Sequence, residues 1–240
     1  MAAIRDNLQA VSERIARAAA AAGRSADSVR LLAVSKTHPP ALLEEAFRAG
    51  QTAFGENYVQ EALEKMEALT RLVGVQRASD VEWHLVGPLQ SNKSRLAAER
   101  FHWVHSLSST KVARRLSDQR SADCAPLNVL IQVNCSGEVS KSGVAPGEAR
   151  ALAQAVAQMA RLKLRGLMAI PEPSREVAVQ RARFRVVRGL YERLRADGLA
   201  LDTLSLGMSD DLEAAIAEGS TLVRVGTAIF GARGRERDAA

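Results

Sequence analysis

A lysine directly follows an apolar run in the first quarter of this 240-residue chain. The stretch reads LLAVSKTHPP over residues 31–40, and its apolar part is typical of a buried strand. Because side chains alternate along a strand, Lys36 shares a face with Leu32 and Val34. Apolar surroundings lower the pKa of an amine, and a neutral amine forms a Schiff base with an aldehyde. A lysine that simply reaches solvent at a strand end is the alternative, and position alone does not decide between the two.

Two glycine-containing turns late in the chain have residues suited to binding an anion. They lie in SLGMSDDLEAAIAEG (205–219) and RVGTAIFGARG (224–234). Ser209 is a predicted helix N-cap, Gly207 lets the backbone approach closely, and Gly226 and Thr227 offer N–H groups to a phosphate. The two aspartates after Ser209 oppose an anion if their carboxylates face it. Ordinary capped turns without a ligand are the alternative interpretation.

Further polar residues stand near the predicted strand ends. Arg224 interrupts the apolar TLVRVG, so its guanidinium needs an acceptor, either a carboxylate or the ring nitrogen of a ligand. Lys93 lies near the opening of a predicted helix, and Lys141 lies in the loop after the fifth strand. Together with Lys36 they predict a basic face that receives a small anion. Asn57, in FGENYVQE, is a predicted N-cap that is compatible with a ligand contact in addition.

Eight short apolar runs alternate with amphipathic segments that have the spacing of helices. The runs are 31–35, 52–55, 82–87, 102–107, 127–134, 164–170, 201–207 and 222–227. Helical spacing is clearest over 147–160 and 176–196, and Pro39 and Pro40 suit the opening turn of a helix. Strict alternation predicts a parallel sheet, and eight units predict a single (βα)8 TIM-type barrel preceded by an N-terminal helix. A doubly wound open sheet is the alternative, but no GxGxxG follows a strand.

The composition argues against several other classes of protein. The net charge of +6 comes from 33 basic and 27 acidic residues spread along the chain, and aromatic residues are only 4%. Nucleic-acid binding is therefore the weakest alternative, and Arg181, Arg185 and Arg188 are better explained as one solvated helix face. Cys124 and Cys135 lack metal-like spacing and indicate reduced thiols in the cytoplasm. We expect no membrane span, and the Ala- and Arg-rich N-terminus predicts a helix rather than a signal peptide.

The histidines give no sign of a metal site. His84 lies within a predicted strand and is interpreted as a core histidine. His102 and His105 are three residues apart on another strand and point to opposite faces, so they make a poor pair of metal ligands.

The motifs LLAVSKTHP, FGENYVQE, EWHLVGPLQSNKSR, LRGLMAIP and LSLGMSDDLEAAIAEGSTLVRVGTAIFGAR together closely resemble the pyridoxal phosphate homeostasis proteins, relatives of the alanine racemase barrel domain. The resemblance implies one barrel domain over residues 1–233, with a disordered tail at 234–240. It also implies pyridoxal 5′-phosphate (PLP) held as a Schiff base on Lys36. Arg224 matches the residue facing the pyridine nitrogen, and Asn57 matches a pocket-lining position. The phosphate-binding positions match Met208, Ser209, Gly226 and Thr227.

The resemblance further implies a carrier and buffer of PLP that supports amino-acid and keto-acid balance, with PLP-dependent apoenzymes as candidate recipients. A weak racemase or lyase is the alternative function. Two features favour the carrier. An arginine at the pyridine nitrogen weakens the ring as an electron sink, and two-base racemisation needs a second acid/base group. The racemases take that group, a tyrosine, from a C-terminal domain that we do not expect here, and neither Tyr58 nor Tyr191 stands in its place. We expect a monomer or a weak dimer.

Overall fold

The computed structural model describes residues 3–136 and 142–232, and its centre is a closed parallel barrel. The strands follow one another in chain order, and β1 closes the barrel by pairing with both β2 and β8. The strands are β1 Arg30–Val34, β2 Ala53–Glu56, β3 Glu82–Leu85, β4 Trp103–Leu107, β5 Leu127–Gln132, β6 Leu162–Met168, β7 Thr203–Ser205 and β8 Leu222–Val225. The prediction of a (βα)8 barrel is therefore confirmed.

Helices precede the barrel and connect its strands. They are α1 Ile4–Ala21, α2 Pro40–Arg48, α3 Val59–Val73, α4 Val75–Ala78, α5 Ser94–Arg100, α6 Thr110–Gln119, α7 Ala149–Ala157, α8 Val177–Ala196, α9 Leu212–Ala217 and α10 Thr227–Phe230. The N-terminal helix is present as predicted, and Pro39 and Pro40 do stand at the start of α2.

Two predicted N-caps are wrong. Asn57 does not cap a helix, because α3 begins at Val59 and the residue before it is Tyr58. Ser209 does not cap α9, which begins at Leu212. In both places the turn after the strand continues for longer than the local sequence suggests. Both side chains are thereby left at the end of the barrel instead of being used by a helix.

The alternation of side chains along the strands separates two kinds of core. Leu31 and Ala33 of β1 belong to the large apolar core between the strands and the helices. Leu32 instead packs inside the barrel, in a cluster with Ala53, Val86 and Leu222. Trp103, Leu130 and Met168 form a second internal cluster. The barrel is therefore filled with side chains, as expected for eight strands.

Helix α1 holds the turns that follow the last two strands. Its buried face, Leu8, Val11 and Ile15, recurs at the spacing of one helical stripe. The Asn7 amide donates to the Ile229 carbonyl at 2.8 Å. The Arg14 guanidinium donates to the Ser209 carbonyl at 3.1 Å. The N-terminal helix thus supports the end of the barrel at which the strands finish.

The arginines of α8 are engaged in ion pairs. Arg181 and Arg185 both pair with the buried Glu218, and Arg188 pairs with Glu192 one turn further on. This arrangement matches the interpretation of these arginines as one helix face. Among the described residues, no helix is both long and apolar enough to cross a membrane.

Candidate functional site

A cavity of about 340 Å³ opens where the strands end. The seven predicted site residues all line it. They are Lys36, Asn57, Met208, Ser209, Arg224, Gly226 and Thr227. These residues come from the ends of β1, β2, β7 and β8, which are distant in the chain. The closure of the barrel through the β1–β8 pairing is what brings them together.

Lys36 stands two residues beyond the end of β1 and is half-buried in the cavity wall. Val34, on the same face of the strand, lines the cavity with it. Thr37 has φ of 64°, a left-handed conformation that a β-branched residue adopts only when neighbouring contacts enforce it. The backbone on either side of Lys36 is therefore held in a defined conformation.

Those neighbouring contacts come from a buried ionic cluster behind the strand end. The Lys65 ammonium donates to the Ser35 carbonyl at 2.7 Å, to Glu56 at 2.9 Å and to Glu61 at 2.7 Å. The Ser35 hydroxyl also donates to Glu56, at 2.5 Å, and the Thr37 N–H donates to Glu61. The cluster therefore grips the residues immediately before and after Lys36. Burial raises the pKa of Glu56, and the nearby Lys65 ammonium and Ser35 hydroxyl oppose that rise.

The two turns after β7 and β8 present backbone N–H groups to the cavity. The N–H groups of Ser209, Gly226 and Thr227 have no acceptor among the described residues. At Gly226 a side chain is excluded, because a Cβ would lie 2.9 Å from the Val34 carbonyl oxygen. Such convergent N–H groups on closely approached backbone are suited to phosphate oxygens.

The two aspartates that follow Ser209 differ in their contacts. The Met208 N–H donates to the Asp211 carboxylate at 2.6 Å, so Asp211 is used within the turn. Burial raises the pKa of Asp211, and the Met208 N–H and the charge of Arg224 counter that effect. Asp210 is exposed and lines the mouth of the cavity.

Arg224 lines the base of the cavity and is almost fully buried. Its Nη1 donates at 2.7 Å to both the carbonyl and the hydroxyl of Ser205, and its Nη2 donates to the Ala169 carbonyl at 2.9 Å. Burial lowers the pKa of Arg224 to about 10, with Asp211 opposing, so the side chain is charged at neutral pH. Within the described part of the chain, one N–H on Nη2 and the N–H on Nε have no acceptor. Among the described residues, the guanidinium thus donates to two backbone carbonyls and one hydroxyl rather than to a carboxylate.

Lys93 and the two tyrosines, which the structure describes, do not join the cavity. Lys93 ends a short 3₁₀ turn, Ser91–Lys93, and is not among the residues that line it. Lys141 and the tail 234–240 lie outside the described residues. The Tyr191 hydroxyl is buried and donates to the Leu201 carbonyl, while Tyr58 is 60% exposed and outside the cavity lining. No group of three potential metal ligands occurs among the described residues.

Sequence reasoning missed several residues of the cavity. His38 lines it beside Lys36 and contacts the ring of Phe230 in α10, with ring centroids 5.2 Å apart and ring planes tilted by 32°. Gly87 lines it after β3, and a side chain there would overlap the backbone of Asn57. The Gly-Pro pair at the end of the third apolar run was a usable signal for this close approach. Gln132, at the end of β5, offered no local signal.

Comparison with known proteins gives a consistent result. Residues 6–234 match the family model of the alanine racemase N-terminal domain. The pyridoxal phosphate homeostasis protein of Pseudomonas aeruginosa (strain PAO1) is 56% identical over 233 residues, which is 97% of either chain. The protein of that name from Escherichia coli (strain K12) is 54% identical over 230 residues, covering 96% of this chain and 97% of the relative. The chain belongs to the family of pyridoxal phosphate homeostasis proteins.

A solved structure extends this assignment to a ligand-bound relative. PipY of Synechococcus elongatus PCC7942, with PLP bound, superimposes with a TM-score of 0.81 at 38% identity. The match covers 95% of this chain and 100% of PipY. This chain therefore has the same barrel fold as PipY, a protein that binds PLP.

Proposed function

We propose that this protein carries and buffers PLP, held as a Schiff base on Lys36, and so supports PLP supply and amino-acid and keto-acid balance in the cytoplasm. The observation that carries the proposal is the convergence of an amine, a buried guanidinium and two N–H-bearing turns on one cavity. The name shared by the relatives and the PLP bound to PipY support it.

Each part of the ligand has a suitable group in the cavity. The N–H groups of Ser209, Gly226 and Thr227, with the neighbouring Met208, would hold the phosphate. The remaining N–H groups of Arg224 would donate to the ring nitrogen and keep it unprotonated. When bound, PLP supplies an electrophilic aldehyde and a conjugated ring.

Lys36 would make the covalent link to PLP. Its amine would add to the aldehyde carbon, and its two protons would leave with the aldehyde oxygen as water when a C=N bond replaces the C=O bond. Water reverses the same step and returns both the amine and the aldehyde. This reversibility suits a reservoir from which apoenzymes draw the coenzyme. Asn57 lines the same cavity and would contribute to the wall around the bound ligand.

The decisive experiment is a spectral titration of the purified protein with PLP, followed by borohydride reduction and peptide mapping. We expect imine absorbance and a reduced adduct on Lys36, both lost in Lys36→Ala. Lys93→Ala is the matched control, because that lysine lies outside the cavity, and it should behave as the wild type. A reduced adduct mapped to another lysine, or a protein that ignores PLP, would sink the proposal.

A racemase or lyase activity is the alternative, and it makes a different prediction. It requires a second acid/base group at the cavity; neither tyrosine lies there, so His38, which lines the cavity beside Lys36, would have to supply it. Steady conversion of an amino acid at about 1 per second or faster, dependent on Lys36, would favour the enzyme over the carrier. We expect no turnover on this scale.

A further inference from the structure

A row of polar side chains crosses the interior of the barrel below the cavity. The Ser205 hydroxyl, which accepts from Arg224, lies 3.3 Å from His105 Nδ1. His105 Nε2 lies 2.9 Å from His84 Nδ1. His84 Nε2 makes no hydrogen bond among the described residues, and it lies 3.5 Å from the Glu82 carboxylate at the far end of the barrel. The row links the residue proposed to meet the ligand ring to a carboxylate contributed by β3.

The donor Arg224 at one end and the nearby Glu82 carboxylate at the other favour one direction for the hydrogen bonds that join Ser205, His105 and His84. A guanidinium can only donate, so the Ser205 oxygen accepts from Arg224 and its own proton is directed to His105 Nδ1. His105 then carries its proton on Nε2 and donates to His84, whose proton is on Nε2 and faces Glu82. The opposite tautomers would set the bare Nε2 of His84 against a carboxylate oxygen and leave the serine proton without its acceptor.

The surroundings keep the row neutral and rigid. Both histidines are fully buried, and burial is the main cause that holds the pKa of each well below its usual value. The charge of Arg224 adds to this effect at His105. The His84 ring stacks on Trp103 with centroids 5.3 Å apart and planes 9° from parallel. Trp103 and Arg30 both contact Glu82, the carboxylate that lies near His84 Nε2.

We propose that His105, backed by His84 and Glu82, is a positioning residue for Arg224. It fixes the rotation of the Ser205 hydroxyl so that an oxygen lone pair always faces Nη1, which holds the guanidinium where its remaining N–H groups meet the ring nitrogen. This inference rests on the proposed function, because it presumes that PLP occupies the cavity.

The test compares two probes that differ only at the ring nitrogen. One is PLP, and the other is its benzaldehyde analogue with C–H in place of that nitrogen. The affinities of both are measured by imine absorbance for the wild type, His105→Phe and Ser205→Ala. His105→Asn retains an acceptor near the Nδ1 position. Met168→Leu, a conservative change in the internal cluster, is the packing control because it leaves every side chain of the row present.

We expect His105→Phe and Ser205→Ala to weaken PLP binding about twofold to tenfold, the scale of one hydrogen bond. Neither variant should change binding of the analogue. His105→Asn should recover most of the loss, and Met168→Leu should bind both probes as the wild type does. Ser205→Ala removes a single oxygen, so it provides the result if His105→Phe does not fold.

The possible outcomes separate this inference from the proposed function. Equal weakening of both probes, or none, in a wild type that binds PLP overturns the role of His105 and leaves the carrier intact. A wild type that forms an imine with neither probe overturns the carrier and this inference together. Selective weakening of PLP that His105→Asn repairs supports both.

Discussion

Lys65 shows how a residue outside the cavity determines what a residue inside it does. Its ammonium is almost fully buried, and it contacts both Glu56 and the backbone beside Lys36. Such a pair costs much to desolvate, so its value lies in the geometry it imposes more than in its contribution to stability. Here that geometry is the left-handed Thr37 and the direction in which Lys36 leaves the strand.

Removing the charge of Lys65 should nevertheless destabilise the protein, because its carboxylate partner stays buried. Lys65→Met leaves Glu56 buried and unpaired, so we expect the free energy of unfolding to fall by about 3–5 kcal/mol. The double variant Lys65→Met/Glu56→Gln should recover part of that loss, because the orphaned carboxylate is gone. Urea unfolding measures both, with the exposed Lys111→Met as control. A single variant as stable as the wild type would contradict the assigned role.

Arg224 is expected to affect both the ligand and the fold. Arg224→Ala should lower PLP affinity and change the imine spectrum, because the donor to the ring nitrogen is lost. It also leaves the carbonyls of Ser205 and Ala169 without their donor, so stability should fall as well. Titration and urea unfolding separate the two effects, with the exposed Arg114→Ala on α6 as control. An unchanged titration and spectrum would show that Arg224 is only structural.

At the scale of elements, the turns after β7 and β8 decide what the strand ends can bind. Gly207 lies two residues after the end of β7 and has φ of 88°. A Cβ at this position would lie 2.6 Å from the Cβ of Ala215 in α9. The turn and the helix after it thus pack without room for a side chain. Helix α1 adds a clamp from outside, through Arg14 on Ser209.

Gly207→Ala should displace the turn after β7, which contains Met208 and Ser209 and is proposed to hold the phosphate. Gly198→Ala provides a matched control. Gly198 has a similar φ of 91°, but nothing lies within 4 Å of its Cβ position. Both variants pay the cost of a left-handed alanine, about 1 kcal/mol. Only Gly207→Ala adds a packing conflict, so only that variant should lose PLP affinity. Urea unfolding and PLP titration compare the two. Equal PLP affinities would show that the turn adapts without moving the site.

The sequence predicted the strands and helices well, but it predicted poorly where the turns between them end. Periodicity and alternation identified all eight strands because each buries a local apolar run. The caps assigned to Asn57 and Ser209 were wrong, because a turn's length depends on what packs against it. The His84–His105–Ser205 row lay beyond prediction for another reason. Its two contacts join residues 21 and 100 positions apart, and they exist only after the register of the closed barrel is set.

At the scale of the whole molecule, the folded barrel buries neutral histidines that the unfolded chain exposes to water. Burial lowers the pKa of His84, His105 and His102, so the folded protein resists taking up these protons. Glu56 and Asp211 act in the opposite direction, since burial raises the pKa of each. The balance between these groups makes stability depend on pH.

Stability should fall as pH drops below the ordinary histidine value of 6.5, because the unfolded chain then binds protons that folded His84 and His105 do not. Above that value both states are neutral and the effect vanishes. Each fully depressed histidine contributes a slope of about 1.4 kcal/mol per pH unit. His105→Phe should therefore reduce the slope between about pH 6 and pH 5 by that amount, while the opposing carboxyl groups cancel in the comparison. Urea unfolding across this range gives both slopes. Identical slopes for the wild type and His105→Phe would mean that His105 takes up a proton in the folded barrel as it does in the unfolded chain. That outcome would contradict the proposed row, in which His105 Nδ1 accepts a hydrogen bond and Nε2 donates one.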